Sequence, residues 1–324
     1  MDLLHNILAT VLSPVTAAFA LAAIGLNIHF GFTGLMNMGQ AGFMLVGGYG
    51  YAISVSMGVG FWPAMLISIL SSTLFALLLG VPTLKLRGDY LAIVTICAAE
   101  IIRMIAKLAL LTPITGGPTG LPGREFRPPF TDLSPLPDGK STILGLTYDN
   151  NGIDDWWTRI VGWGLVILFL LITWLLMRSP WGRVLKGIRE DEAAVRSLGK
   201  SAYSYKMQAL IIGGVMGGFG GIFLSLPAAM HPDSMGRPTT FNLWIIVLLG
   251  GAATIFGPLL GTILFFITRL LVIAGSKTFI PSHIVNSQQS EQLAWVLIGL
   301  ALMLLVVFRP QGILGDKKEL SFSV

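Results

Sequence analysis

Polar and apolar positions do not alternate finely along this chain; they separate into long blocks. Between Asp2 and Lys85 there is no Asp, Glu, Lys or Arg. One helical crossing of a bilayer takes roughly 20 residues, so this block must hold several spans. The pattern predicts a first span over residues 7–30, a second over 35–56, and a third over 61–84 that ends on the basic turn KLRGD. A fourth follows at 90–111, a fifth at 159–177 and a sixth at 207–226. The stretch 241–276 is too long for one crossing and is broken by GGAATIFGP, which predicts a helical hairpin. The last segment covers 293–308. The expected architecture is an all-α integral membrane protein, a polytopic bundle of about 8–10 transmembrane or re-entrant helices in one domain.

Two long polar insertions orient the bundle. Residues 178–206 carry seven of the 21 basic residues: Arg178, Arg183, Lys186, Arg189, Arg196, Lys200 and Lys206. Clustered Lys and Arg beside spans mark the cytoplasmic side. Residues 112–158 are rich in Gly and Pro and hold six acidic residues against three basic ones, which assigns them to the outer side as turns with one short helix. Arg309, Lys317 and Lys318 then bring the C-terminus to the cytoplasm and leave the N-terminus outside. The first apolar run has no basic n-region and no cleavage pattern, so it reads as a retained span and not a removed signal.

Within the basic insertion the sequence predicts a short helix. Glu190, Asp191 and Glu192 suit its first turn, Arg196 its last, and Gly199 the left-handed position that ends it. Ala194 and Leu198 share a small apolar face, with Val195 beside it. Such a helix on a cytoplasmic loop fits a groove of a soluble partner, the alternative being an ordinary solvated charge run.

Composition fits the block pattern. The 324 residues are 54% hydrophobic and only 11% charged, and mean hydropathy is +0.77; a soluble domain carries about 25% charged residues. The net charge of +5 belongs to inward-facing loops and does not indicate nucleic-acid binding. Cys97 is alone in an apolar run, which excludes a disulfide framework.

Polar residues inside spans are the candidate chemistry. Asn27, Asn37 and Gln40 need partners in an apolar medium, so they face the bundle interior, either along a pathway or as hydrogen bonds between helices. Glu100 and Arg103, three apart on one helix face near mid-depth, form either a functional pair or a neutralised structural one. The chain has no GxxxxGK[ST], no HExxH, no GxSxG and no clustered histidines, hence no ATPase, metal or catalytic centre of its own. A pathway-forming membrane subunit is the expectation. An ion-coupled secondary transporter, with Glu100 as its coupling carboxylate, is the rival from another class.

A set of segments then carries a resemblance. GLNIHFGFTGLMNMGQAGFMLVGGY, LKLRGDYLAIVTICAAEIIRMI, ITGGPTGL, SPWGRVLKGIREDEAAVRSLGKSAYSYK, VLLGGAATIFGPLLG and FRPQGILG occur in this order. Together they resemble the LivM-type permease subunit of branched-chain amino acid ABC importers, with a fold like that of type II ABC importers. The resemblance implies a second homologous permease subunit, two cytoplasmic ABC ATPases that hydrolyse the ATP, and an extracytoplasmic substrate-binding protein. It places the chain as a multi-pass protein of a bacterial inner membrane, with no cofactor of its own. It also makes Arg189, Glu190, Asp191, Glu192, Ala193, Ala194, Leu198 and Gly199 the segment that docks on an ATPase. Gly199 falls one residue later than the family's common Glu-Ala-Ala…Gly spacing. Permeases for urea and short amides are very similar, so the substrate stays open between these classes.

Overall fold

The computed structural model of the protein describes residues 3–86, 88–143, 145–153, 155–279, 287–309 and 311–315. Arg87, Lys317 and Lys318 lie outside them. The first expected span is divided. Helix α1 (Leu3–Val11) stops ahead of Pro14, which has no N–H to continue a helix. The hydroxyl of Ser13 then caps α2 (Pro14–Asn27) by accepting from the Val15 N–H. α2 runs into a π turn, Ile28–Phe32, and an irregular stretch at 34–39 before α3 (Gln40–Ser56). Only 17 residues of the second expected span are helical, at the low end of what a full crossing takes.

Helix α4 (Phe61–Thr83) matches its expected bounds, while α5 (Gly88–Ala106) ends five residues earlier than expected because Leu108 turns extended. The outer insertion holds more order than turns and one helix. It carries three single-turn helices, α6 (Thr112–Thr115), α7 (Gly123–Phe126) and α8 (Pro128–Thr131). Strand β1 (Leu121–Pro122) pairs with the later β4 (Ala229–Met230), and β2 (Lys140–Ile143) pairs with β3 (Leu146–Asp149), both antiparallel. These pairings of two and four residues are too short to show as a period in the sequence. Helices α9 (Trp156–Arg178), α10 (Pro180–Glu190) and α11 (Glu192–Ser197) lead to α12 (Ala202–Ser225). The expected hairpin is present as α13 (Arg237–Gly250) and α14 (Gly257–Phe279), broken at 251–256, and α15 (Ser287–Phe308) closes the chain. Among the described residues, five helical runs are long and apolar enough to cross a membrane.

The core is made by α12 sliding between α2 and α3. Its glycines permit this: a Cβ at Gly213 would strike the Gly25 carbonyl, and one at Gly221 would strike the Met44 carbonyl. Small residues at such contacts let backbones approach where lipid removes the hydrophobic drive between helices. The two polar insertions lie at opposite ends of this bundle, since α9, about 34 Å long by its 23 residues, joins one to the other. At one end Tyr49 and Tyr51 donate to the carbonyls of Thr115 (3.2 Å) and Phe126 (3.3 Å), and Trp157 donates to that of Phe130 (3.0 Å). At the other end the C-terminal segment zips onto the end of α13, with Ile313 N–H to Leu249 O (3.1 Å) and Leu314 N–H to Gly250 O (3.0 Å).

Candidate functional site

The π turn and the irregular stretch after it free backbone groups in the middle of the bundle, and polar side chains gather there. Asn27, Asn37 and Gln40 all fall in this place, with His29 among them; each is at most 1% exposed. Asn27 accepts from Ala253 N–H (3.0 Å) and donates to Thr254 O (2.8 Å), so it holds the break between α13 and α14. The His29 Nε2 lies 3.1 Å from Leu210 O and its Nδ1 lies 3.0 Å from the Asn37 amide nitrogen. That pairing assigns the proton to Nε2, with Nδ1 accepting. Asn37 also donates to Gln40 Oε1 (3.1 Å) and accepts from Gly39 N–H (2.8 Å). Gln40 donates to the carbonyls of Ala22 and Gly213, both at 3.2 Å. Every side-chain polar atom of these four residues therefore has a partner in the chain. His29 was not singled out in the sequence, although its position between Asn27 and Asn37 was a usable signal.

Glu100 and Arg103 sit elsewhere, on α5 beside the start of α13. The expected pair forms: Arg103 donates to Glu100 through Nε (3.1 Å) and Nη2. The pair is part of a larger cluster, because Arg103 and Lys107 both bond Asp233, and Arg237 Nε lies 3.8 Å from Glu100 Oε2. Lys107 and Arg103 hold the Asp233 carboxyl below the usual carboxylate range. Side-chain exposure here runs from 13% for Arg103 to 60% for Asp233 and 63% for Arg237. In sequence Asp233 and Arg237 are ordinary loop charges; only the fold brings them to α5.

The basic insertion corrects the expected helix. It is two helices, not one with Glu190, Asp191 and Glu192 in its first turn. Asp191 turns extended (φ −152°, ψ 101°) and its carboxylate accepts from Ala193 N–H (2.8 Å) and Ala194 N–H (3.1 Å). A short acidic side chain that bonds nearby N–H groups competes with a continuous helix, and here it ends α10 and caps α11. Glu190 is thus left in the last turn of α10, bonded by Arg189 at 2.7 Å. Glu192 does lie in the first turn of α11, Arg196 in the last, and Gly199 takes φ 74°. Burial would push the Glu192 carboxyl up, but Lys206 and Arg196 outweigh it and hold it below the ordinary range. Val195 packs inward, while Ala193, Ala194 and Leu198, the last 79% exposed, point away from the bundle. Arg189 ties this loop to the core: its Nη1 donates to Gly31 O in the π turn at 2.7 Å. A Cβ at Gly31 would collide with Asn27 Oδ1 and Ala253 N, so Arg189, Gly31, Asn27 and the α13–α14 break form one contiguous chain of contacts.

Among the described residues, no group of three His, Cys, Asp or Glu side chains is placed to hold a metal ion. The model of a family described as "Branched-chain amino acid transport system / permease component" matches residues 8–307. The chain is 32% identical to the high-affinity branched-chain amino acid transport system permease protein LivM of Escherichia coli, over 94% of this chain and 69% of that one. It is 24% identical to the probable branched-chain amino acid transport permease protein LivM of Methanocaldococcus jannaschii, over 92% and 91%. A solved structure of PsaBC from Streptococcus pneumoniae in complex with Fab aligns with a TM-score of 0.45 at 15% identity, covering 94% of this chain and 91% of that one.

Proposed function

The chain belongs to the permease family of branched-chain amino acid transport systems, and from that premise we propose that it forms half of the path by which an ABC importer takes up an apolar amino acid. A second, related permease subunit would complete the path. Two ATPases would dock on the basic insertion, and an extracytoplasmic binding protein would deliver the substrate at the opposite end. This orientation, with the C-terminus on the cytoplasmic side and the N-terminus outside, rests on the seven basic residues at 178–206. The chain itself would hydrolyse nothing; ATP binding and hydrolysis in the partners would shift the bundle between states of different access.

One observation carries this reading: α11 turns Ala193, Ala194 and Leu198 outward while Arg189 at its root reaches the Gly31 carbonyl in the core. An exposed apolar knob next to a side chain that hydrogen-bonds the buried π turn suits a part that is pushed from outside. Ala194→Arg places a charge on the knob without touching the bundle. The expected result is normal membrane insertion with continued ATP hydrolysis and lost uptake; normal uptake would overturn the docking role. For the path, Glu100 and Arg103 are the favoured lining residues, because they remain reachable. Asn27, Asn37 and Gln40 would act behind it by holding the helix breaks. Uptake that survives a protonophore but stops on ATP depletion separates this reading from an ion-coupled transporter using Glu100. Competition by leucine and not by urea separates it from an amide importer.

A further inference from the structure

Helices α4 and α9 flank the end of α12 and leave a slot of about 600 Å³ between them. Its floor is the last part of α12 and the residue after it, from Phe219, Ile222, Phe223 and Leu226. One wall is α4 between Phe61 and Ile69, and the other is α9 between Trp157 and Leu165. The insertion at 112–158 adds Phe130 and Leu133 at one end. The Phe130 ring stands 6.0 Å from each of Phe61, Trp157 and Phe223, one on each helix. It therefore closes that end and holds the three helices apart.

Every side chain around the slot is hydrocarbon or thioether apart from two indoles, Trp62 and Trp157. The Trp157 N–H is already spent on the Phe130 carbonyl at 3.0 Å. A charged or strongly hydrogen-bonding ligand would be desolvated there without a partner. The slot is continuous with a face that lies in the bilayer, since α4 and α9 are both long and apolar enough to cross it. On that face Trp62 is 72% exposed and Leu66 57%. From Phe61 to Ile69 the wall runs eight helical steps, about 12 Å, against about 15 Å for half of a hydrocarbon core. Its depth is that of one leaflet. A partner's membrane-spanning helix, about 30 Å long, does not fit a slot closed at one end, whereas a flexible chain does.

We propose that the slot is a lipid site, in which one acyl chain of a phospholipid enters between α4 and α9 and lies along Ile222 and Phe223. The lipid belongs to the leaflet on the side of the insertion at 112–158. Its headgroup stays at the interface beside Trp62, where an indole meets both hydrocarbon and polar surroundings. An empty slot would leave its lining without dispersion contacts, and the methylenes of the chain restore them. The floor belongs to α12, the helix at the centre of the bundle, so the bound chain is part of the packing. It is retained when the protein leaves the membrane.

The test uses the full chain in its assembled complex, purified in mild detergent from membranes of known lipid composition. Native mass spectrometry of the released permease is expected to show one phospholipid kept through washing. Val161→Trp and Leu165→Trp each put an indole into the slot and should lower that occupancy by about tenfold or more. Ile167→Trp, at a position 66% exposed on the same helix, should leave it unchanged. Melting temperatures of the purified variants report folding. A benzophenone side chain in place of the half-buried Met65 reads the slot without those variants, and should label phospholipid in the native membrane. Wild type that carries no lipid, or equal occupancy in wild type and the folded slot variants, would overturn the site. Equal loss in Ile167→Trp would reduce it to bulk lipid and overturn it as well. Labelling of a protein subunit from Met65, and not of lipid, would make the slot a subunit interface and overturn the lipid.

Discussion

Two polar clusters lie within a few turns of each other in this bundle, and they are built on opposite terms. Asn27, His29, Asn37 and Gln40 are sealed in, and every one of their polar side-chain atoms is bonded within the chain. Glu100, Arg103, Asp233 and Arg237 are open to varying degrees, and Arg237 has bonding capacity to spare. In an apolar medium both clusters are expensive unless paired. The closed one is paired completely, so it serves to hold broken helices in register. The open one is paired less closely, with Arg237 Nε 3.8 Å from Glu100 Oε2. What separates the two clusters is not polarity but whether the hydrogen bonds are already spent.

The contrast predicts its largest effect in the closed cluster. Asn37→Leu removes the partner of His29 Nδ1, of Gln40 Oε1 and of Gly39 N–H together. A buried polar group left unpaired costs about 1–3 kcal/mol, so the loss should amount to several kcal/mol. The purified variant should show a sharply lower melting temperature and poor yield. A melting temperature equal to wild type would mean that water or another group reaches the site, and the two clusters would no longer differ in kind.

Next in size is the link from the basic loop at 178–206 to the closed cluster. Arg189→Met keeps the length of the side chain and removes its hydrogen bond to Gly31 O, a charge-assisted bond of about 1.5–3 kcal/mol. The helices α10 and α11 should still form, because Asp191 caps α11 without help from Arg189. ATP hydrolysis by the assembled importer should continue while uptake falls by about tenfold. Coupled uptake at the wild-type ratio of transport to hydrolysis would show that force enters the bundle elsewhere.

How far these clusters were legible in the sequence differs residue by residue. Spans such as 61–84 could be read because α4 carries no charged residue and is mostly apolar. The break between α13 and α14 was visible in GGAATIFGP. The π turn at Ile28–Phe32 was not, because it is set by what Asn27 and Gly31 meet in the far-off residues Ala253 and Thr254. Asn27, Asn37 and Gln40 could be identified as polar residues needing partners, but whether those partners were protein or ligand depends on contacts far apart in sequence, such as Asn27 to Thr254 and Gln40 to Gly213, 227 and 173 residues away. The Glu100–Arg103 pair was visible as an i, i+3 spacing, while Asp233 and Arg237 join it only through folding. Asp191 shows the opposite failure: its local capping bonds split a helix that charge placement alone made continuous.

The smallest predicted effect lies in the open cluster, and it makes the comparison sharpest. Asp233→Asn keeps the shape of a side chain that is 60% exposed and removes its charge. Solvent screens such a group, so the loss should be no more than about 1 kcal/mol even though two cations bond it. The sign follows from the lowered carboxyl of Asp233: its stabilising effect is present above the ordinary carboxylate range and fades as pH falls through the folded value. Melting temperatures of wild type and variant should therefore differ slightly at neutral pH and converge in acid. A difference of about 3 kcal/mol or more at neutral pH would put Asp233 in the same class as Asn37, a structural strut. The open cluster would then be a second closed one that happens to touch solvent.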